Sequence, residues 1–333
     1  MKKLLMMMMT SILIFAVACG TTETENENGE SNSGDGDVVI GVTQIVEHPS
    51  LDAAFEGFKQ ALVDGGINAS YDVNIAQGDS SNNDAIAKKL ADDEVDLIFA
   101  NSTPSALSAL NATKEIPIIF TSVTDPVGSE LVETMEKPGG NVTGTSDSNP
   151  DAIPSTIQLI KDMGYESVGV VYNSGESNSV AQINAVKEYA SDNNVNVEEA
   201  VVSTSAEVKQ ATESLVGDVD ALYIITDNTV VSALESVLIV GHQEDIPVFV
   251  GELDSVERGG FAAYGFSYYD IGYEAGEKTV QILNGEKEPG EIPATFPQTL
   301  QLTINEEAAE EMGVELTDEL KDLATDIVTT QQD

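Results

Sequence analysis

The fold is decided by residues 38–66, which read VVIGVTQIVEHPSLDAAFEGFKQALVDGG. Val38 to Gln44 is an apolar run of strand length, and Leu51 to Val63 places apolar residues at the spacing of one helix face. Gly65 and Gly66 follow, and glycine is the residue that most often ends a helix. This segment therefore predicts a β-strand followed by an α-helix.

The same alternation continues outward from this segment. The first half of the chain predicts strands at Tyr71 to Ala76, Leu97 to Ala100 and Ile116 to Phe120, with helices at Asn82 to Asp92 and Pro104 to Thr113. After a turn at Gly139 to Asn141, strands are predicted at Ser167 to Tyr172, Asn196 to Ala200, Ala221 to Thr226, Pro247 to Gly251 and Gly260 to Gly265. Helices between them are predicted at Ile153 to Met163, Ser179 to Asn193, Ala206 to Val216 and Val230 to Glu244.

Short strands that alternate with helices form βαβ units and parallel sheets. The sequence thus predicts an α/β protein of two successive lobes, each a parallel sheet flanked by helices. Local pattern alone does not assign the later helix Tyr268 to Leu283 or the strand Thr299 to Ile304 to either lobe.

The N-terminus has the features of an export signal. Lys2 and Lys3 precede an apolar run that ends in small residues before Cys19. The run is shorter than the ~20 residues that a membrane-spanning helix needs, so a transmembrane anchor is the weaker interpretation. We expect residues 1–18 to be a signal peptide and 19–37, which contain no large apolar residue, to be a flexible tether.

The net charge is strongly negative, with 58 acidic residues against 14 basic ones. Without a basic patch the chain has no means to displace counterions from phosphates, which argues against a nucleic-acid partner. So large a charge repels itself at low ionic strength, whereas molar salt shortens the screening length to ~3 Å. We infer a saline habitat in which the acidic residues form a solvated surface.

Polar loops follow several predicted strands, at the edge of a parallel sheet where ligands bind. In the first lobe these loops are rich in hydroxyl groups, and in the second they carry Asp227 and Glu252. Donors on one side and carboxylates on the other suit a zwitterion such as an amino acid. Two alternatives stay open at this point: Ser102 and Thr103 merely cap their own helix, and Asx and Ser residues populate any turn.

Several of these loops resemble one family. The motifs are Ile40 to Asp52, Thr124 to Gly128, Gly140 to Gly144, Val171 to Asn173 with Glu176 to Ser179, and Thr226 to Val230. They are similar to ABC-transporter substrate-binding lipoproteins of the tryptophan/tyrosine-type group, from about Val38 to Val328. On this resemblance, Cys19 corresponds to the acylated cysteine of the lipobox, although Ala16 stands where leucine is commoner.

The resemblance implies a type I periplasmic-binding-protein fold, whose two lobes close on a ligand. The N-terminal lobe would comprise residues 38–146 and 268–297, and the C-terminal lobe 147–267 and 298–333. Asp227 is expected to meet the ligand's ammonium, and Thr103 with Ser122 its carboxylate. For an aromatic ligand, Val123, Phe266 and Tyr172 are candidates for stacking. The expected cleft residues are Gln44, His48, Thr103, Ser122, Thr124, Tyr172, Glu176, Asn178, Asp227, Asn228 and Glu252.

The function expected from this resemblance is delivery of a small molecule, an amino acid, to the permease and ATPase subunits of an ABC importer. We expect a monomer, lipid-anchored at the outer face of the cell membrane or on the periplasmic side, without metal or cofactor. The chain contains no H-E-x-x-H, G-x-G-x-x-G, phosphate-binding P-loop or G-x-S-x-G motif, which argues against an enzyme. A sensor component, or a sugar- or nucleoside-binding protein of the same fold, remains the alternative.

Overall fold

A computed structural model describes residues 38–331 of the chain. Cys19, the signal peptide and the tether lie outside the described residues. Within them, two sheets with helices packed against them confirm the predicted α/β architecture.

The first sheet is parallel and has the strand order β2-β1-β3-β4-β5. Its strands are β1 (Val38–Gln44), β2 (Ala69–Ile75), β3 (Leu97–Asn101), β4 (Ile118–Val123) and β5 (Val142–Ser146). The intervening helices are α1 (Pro49–Asp64), α2 (Ser80–Asp92) and α3 (Thr103–Ala112). The chain adds β2 on one side of β1 and β3 on the other, so the order reverses between β1 and β3, where a crevice forms beyond the strand ends.

The second sheet has the order β12-β11-β10-β9-β8-β6-β7, and only the β10–β11 pair is antiparallel. Its strands are β6 (Ser167–Asn173), β7 (Asn196–Val202), β8 (Ala221–Ile224), β9 (Val248–Val250), β10 (Ala262–Gly265), β11 (Gln301–Asn305) and β12 (Asp326–Val328). The helices of this half are α4 (Ala152–Asp162), α5 (Ser177–Asn193), α6 (Val208–Glu213), α7 (Asn228–Val231), α8 (Leu234–Glu244), α9 (Leu253–Glu257), α11 (Glu306–Glu311) and α12 (Asp318–Leu323). Here the order reverses between β6 and β8.

Helix α10 (Tyr268–Leu283) leaves the second sheet and packs along α1. The two helices touch at glycines: a Cβ on Gly272 would lie 1.8 Å from the Ala54 carbonyl oxygen, and one on Gly57 would lie 2.0 Å from that of Tyr269. Only glycine allows backbones to approach this closely. This contact attaches α10 to the half of the protein that contains the first sheet. The lobe boundaries given above stay a prediction.

Each face of the first sheet carries its own core. Successive residues of a strand point to opposite faces, so Leu97 and Phe99 pack on the α1 and α10 side while Ile98 and Ala100 pack on the α2 and α3 side. The ring centroids of Phe58 and Phe99 are 4.2 Å apart. The second sheet is built around one continuous apolar cluster.

Four sequence expectations about the elements were wrong or incomplete. The helix expected at Val230 to Glu244 is divided into α7 and α8, because Ala233 between them has a non-helical backbone with φ −123° and ψ 27°. The helix expected at Ala206 to Val216 is a 3₁₀ turn, Ser205–Glu207, followed by the short α6. Strand β4 begins after Pro117 and runs through a bulge to Val123, and β5 was missed.

Candidate functional site

The carboxyl ends of β1, β3 and β4 lie side by side at one edge of the first sheet. Gln44 is in register with Asn101, and Asn101 with Thr121. The loops beyond these strands therefore gather His48, Thr103 and Ser122, which parallel topology predicts.

The capping role that the sequence suggested for Ser102 and Thr103 falls to Ser102 alone. Ser102 is the N-cap, and its hydroxyl accepts weakly from the Ser105 backbone N–H at 3.5 Å, whereas Thr103 is the first helical residue. Ser102 takes up this role at a φ of 111°, an unusual conformation for a residue other than glycine. The Thr103 hydroxyl is consequently not used by the helix terminus.

Four of the predicted site residues have a buried polar atom without a hydrogen-bond partner among residues 38–331. They are His48 Nδ1, Thr103 Oγ1, Ser122 Oγ and Asn178 Oδ1, and each of these residues is at most 5% exposed. A buried polar group left unpaired costs about 1–3 kcal/mol. Three of these atoms belong to residues at the carboxyl edge of the first sheet, and the fourth belongs to Asn178 at the start of α5.

On the second sheet, Glu176 lies at the centre of a polar network. One of its carboxylate oxygens accepts from the Thr229 hydroxyl at 2.8 Å, and the other accepts from the Asn228 side-chain amide at 2.5 Å and from Asn178 at 3.4 Å. One oxygen of Glu176 therefore holds Thr229, and the other holds Asn178 and Asn228.

Asp227 is likewise engaged by its own lobe. Its carboxylate accepts from the backbone N–H groups of Asn173 and Val230 at 2.7 and 2.8 Å and from the Ser179 hydroxyl at 2.6 Å. It caps α7 and ties that helix to the end of β6. Burial and the nearby Glu176 carboxylate raise the pKa of Asp227. Its role as the ammonium partner stays a prediction, and these hydrogen bonds count against it.

Glu252 and Asp147 are two further buried carboxyl groups near the strand ends. Burial raises the pKa of Glu252 to about 7 and that of Asp147 to about 6. Asp147 accepts from the Thr124 hydroxyl and from the Tyr268 phenol, both at 3.0 Å. These carboxyl groups thus prefer either a proton or a cation close by.

Several contacts join the two sets of loops. Ser50, in the first turn of α1, donates to Glu252 at 2.7 Å. Thr103 and Asn178 line one cavity of about 180 Å³. Burial lowers the pKa of His48 to about 4, so its imidazole is neutral at physiological pH. The start of α1 therefore contacts the second lobe directly.

Other predicted residues serve different contacts. The Gln44 amide bonds Val46, Asp52 and Asn101 within the first lobe, and Thr124 bonds Asp147. The Tyr172 phenol donates to Glu199 on the outermost strand β7. The candidate stacking groups pack inside the lobes, Val123 in the core of the first sheet and Phe266 against Tyr268 at 5.6 Å. Which of the predicted residues touch ligand stays a prediction.

Sequence reasoning missed Ser50, Asp147 and Gln182 as parts of this site. Gln182 donates to the Thr226 hydroxyl at 2.6 Å and approaches Thr124 across the two lobes at 3.5 Å. Asp147 follows β5, which has no apolar pattern, and Gln182 lies on a helix. Only Ser50 fell within a motif that sequence reasoning quoted.

No group of three or more histidine, cysteine, aspartate or glutamate side chains is arranged to hold a metal ion within residues 38–331. A search of the same residues finds no helix whose length and apolarity would let it cross a bilayer.

Comparisons with known proteins agree with this architecture. Residues 39–328 match the family described as ABC transporter substrate binding protein. The chain is 47% identical over 262 residues to the tyrosine-binding protein of Clostridioides difficile (strain R20291), an alignment that covers 77% of this chain and 75% of that protein.

Two solved structures differ in how well they superimpose. The ABC domain in complex with L-Trp from Streptococcus pneumonia gives a TM-score of 0.83 at 32% identity, covering 87% of this chain and 99% of that one. A ligand-free, open substrate-binding protein with adhesive properties from Clostridium difficile gives only 0.64 at 42% identity, covering 88% and 100%. The expected type I periplasmic-binding-protein fold is confirmed by the structural neighbours.

Sequence identity would favour the opposite ranking of these two structures. The L-Trp complex nevertheless superimposes better on this chain than the ligand-free, open structure does. Within this chain, the hydrogen bond from Ser50 to Glu252 joins the start of α1 to the loop after β9.

Proposed function

Because the chain belongs to the family of ABC transporter substrate-binding proteins, we propose that its ligand is an amino acid held between the two lobes. Members of this family are extracytoplasmic binding proteins, not enzymes, and work with permease and ATPase components. The observation that carries the proposal is the set of buried, unpartnered polar atoms on His48, Thr103, Ser122 and Asn178.

The cleft has the polarity that a zwitterion requires. Thr103 and Ser122 offer two unpartnered hydroxyl groups at the end of the first sheet. Such a group of donors suits a carboxylate. Glu252 and Asp147 supply buried negative charge for an ammonium. An α-amino acid carries both groups.

Aromatic amino acids are the first ligands to test. A relative that shares 47% of its residues with this chain is named a tyrosine-binding protein, and a structural neighbour was solved with L-Trp. Both names concern those proteins, and they support L-tyrosine and L-tryptophan as probes for this one.

The proposal is tested by thermal unfolding in molar salt with each of the twenty amino acids, and with sugars and nucleosides as competitors of a different class. A ligand that binds only the folded state stabilises it by about 2.7 kcal/mol at one hundred times its dissociation constant. We expect at least one amino acid to raise the melting temperature in a concentration-dependent way. A response confined to sugars or nucleosides would contradict the proposal.

We further propose that the protein is a monomer tethered through a lipid on Cys19. An apolar segment that ends in Ala16, Val17, Ala18 and Cys19, followed by a polar stretch, supports this. The expected result for Cys19→Ser is release of the protein from the membrane fraction, whereas the unsubstituted protein stays bound. Retention of the variant in that fraction would argue against the lipid anchor, and light scattering of the released protein reports its oligomeric state.

A further inference from the structure

Glu252 occupies a position that links both lobes. It follows β9 in the second sheet and precedes α9. One of its carboxylate oxygens, Oε2, accepts from Ser255 of its own lobe at 3.1 Å and from Ser50 of the first lobe at 2.7 Å. The residue is 3% exposed, so it is sealed from solvent while the lobes are together.

This carboxylate has no cationic partner in the described part of the chain. The nearby Arg258 guanidinium instead forms a two-point contact with Glu235 and bonds the carbonyl of Val231. The buried ammonium of Lys278 is paired with Glu274 at 2.7 Å. A carboxylate buried without a counter-charge is costly, so lobe closure around Glu252 favours a species that brings positive charge.

Glu252 also differs from Glu176 and Asp227, because one of its two carboxylate oxygens accepts no hydrogen bond from the described residues. In Glu176 and Asp227 both carboxylate oxygens accept hydrogen bonds from their own lobe. For Glu252, both hydrogen bonds from residues 38–331 go to Oε2 and none goes to Oε1. Oε1 is therefore the one oxygen of these three carboxylates that accepts no hydrogen bond from residues 38–331.

We propose that Glu252 determines specificity by binding the ligand's ammonium group, and that Ser50 joins this carboxylate to the first lobe when the cleft closes. This inference rests on the proposed amino-acid function and deepens it. It replaces Asp227 as the ammonium partner and assigns Asp227 to holding α7 and β6. The link through Ser50 couples recognition of the charge to closure.

The experiment compares two pairs of ligands by calorimetry in molar salt. L-tyrosine is compared with 3-(4-hydroxyphenyl)propionate, and L-tryptophan with 3-(indol-3-yl)propionate, which lack only the amino group. Leaving one member of a buried charge pair without its partner typically costs 2–5 kcal/mol. The unsubstituted protein should therefore prefer the amino acid of at least one pair by about 30-fold or more, and E252Q should reduce this preference below about 5-fold.

Two control variants separate charge recognition from closure and from long-range electrostatics. Ser50→Ala removes the link to the first lobe but keeps the carboxylate, so it should weaken both members of a pair to a similar extent and preserve the preference. Asp254→Asn removes a partly exposed carboxylate of the same helix and should leave the preference within about 2-fold. Circular dichroism of each variant confirms that it is folded.

The outcomes distinguish this inference from the function on which it rests. If the unsubstituted protein binds neither L-tyrosine, L-tryptophan nor any other amino acid, the proposed function fails and the inference fails with it. If it binds an amino acid and E252Q retains the full preference for the ammonium group, the inference alone is overturned. A loss of preference in D254N as large as that in E252Q would also overturn it, because the effect would then be general electrostatics.

Discussion

Replacement of Thr103 by valine should weaken ligand binding without destabilising the ligand-free protein. The Thr103 hydroxyl has no hydrogen-bond partner in the described part of the protein, and the residue is 1% exposed. Valine has nearly the same shape and lacks only this hydroxyl, so no protein hydrogen bond is lost. The variant therefore removes a polar group that has no partner within residues 38–331.

The magnitude follows from what the hydroxyl does when ligand is present. A hydrogen bond to a charged group such as a carboxylate contributes about 1.5–3 kcal/mol. Loss of this bond should raise the dissociation constant about 10- to 150-fold. The free energy of unfolding without ligand should change by less than about 1 kcal/mol, since the hydroxyl makes no protein contact to lose.

Thr143→Val provides the matched control. The Thr143 hydroxyl is buried and donates to the carbonyl of Ile292 at 2.8 Å, away from the cleft loops. Its removal leaves a buried carbonyl unpaired and should destabilise the protein by about 1–3 kcal/mol with little effect on affinity. Calorimetric titration and denaturant unfolding of both variants check the pair. The reasoning is refuted if T103V loses stability as T143V does while its affinity is unchanged.

Three further predictions concern packing, pH and salt. Gly272→Ala should destabilise the protein by at least about 2 kcal/mol in denaturant unfolding, because its Cβ would lie 1.8 Å from the Ala54 carbonyl oxygen; an unchanged midpoint would contradict the close packing of α1 on α10. Burial raises the pKa of Glu252 to about 7, above its ordinary value of 4.5, so the stability that the protonated group contributes is present below about pH 4.5 and is lost as pH rises through 7. E252Q should flatten the decline in melting temperature over this range, and identical pH profiles for the two proteins would disagree. Finally, a net charge of -44 predicts that the melting temperature rises between 0.1 and 2 M salt, because the screening length falls from ~10 Å to below ~3 Å. A melting temperature that stays constant or falls over this range would show that repulsion between the acidic residues does not limit stability.

The strands and helices with a clear apolar period were predictable from sequence. Strand β1 and helix α10 have the predicted bounds, because their apolar residues recur at the period of their element. Strand β5 was not predicted, although all five of its residues are buried, because Val142 is its only large apolar residue. Its burial depends on neighbours in the sheet and on a bridge between Thr145 and Thr295, which no local pattern reports.

The loops of the candidate site were predictable from topology, but the tasks of their side chains were not. Parallel strands gather their carboxyl ends, which predicted the neighbourhood of Thr103 and Ser122. Hydrogen bonds between residues far apart in the sequence decide which carboxylate keeps an oxygen without a donor. Ser50 bonds Glu252 from 202 positions away, and Ser179 bonds Asp227 from 48 positions away. Sequence alone could not report that Asp227 already accepts three hydrogen bonds from its own lobe.

The most direct test is a crystal structure of the protein with the amino acid that binds most tightly in calorimetry. We expect closed lobes around one ligand molecule, with its carboxylate hydrogen-bonded to the Thr103 and Ser122 hydroxyl groups and its ammonium to Glu252. A ligand bound in the reverse orientation, or at a surface away from these loops, would contradict this assignment of the cleft residues.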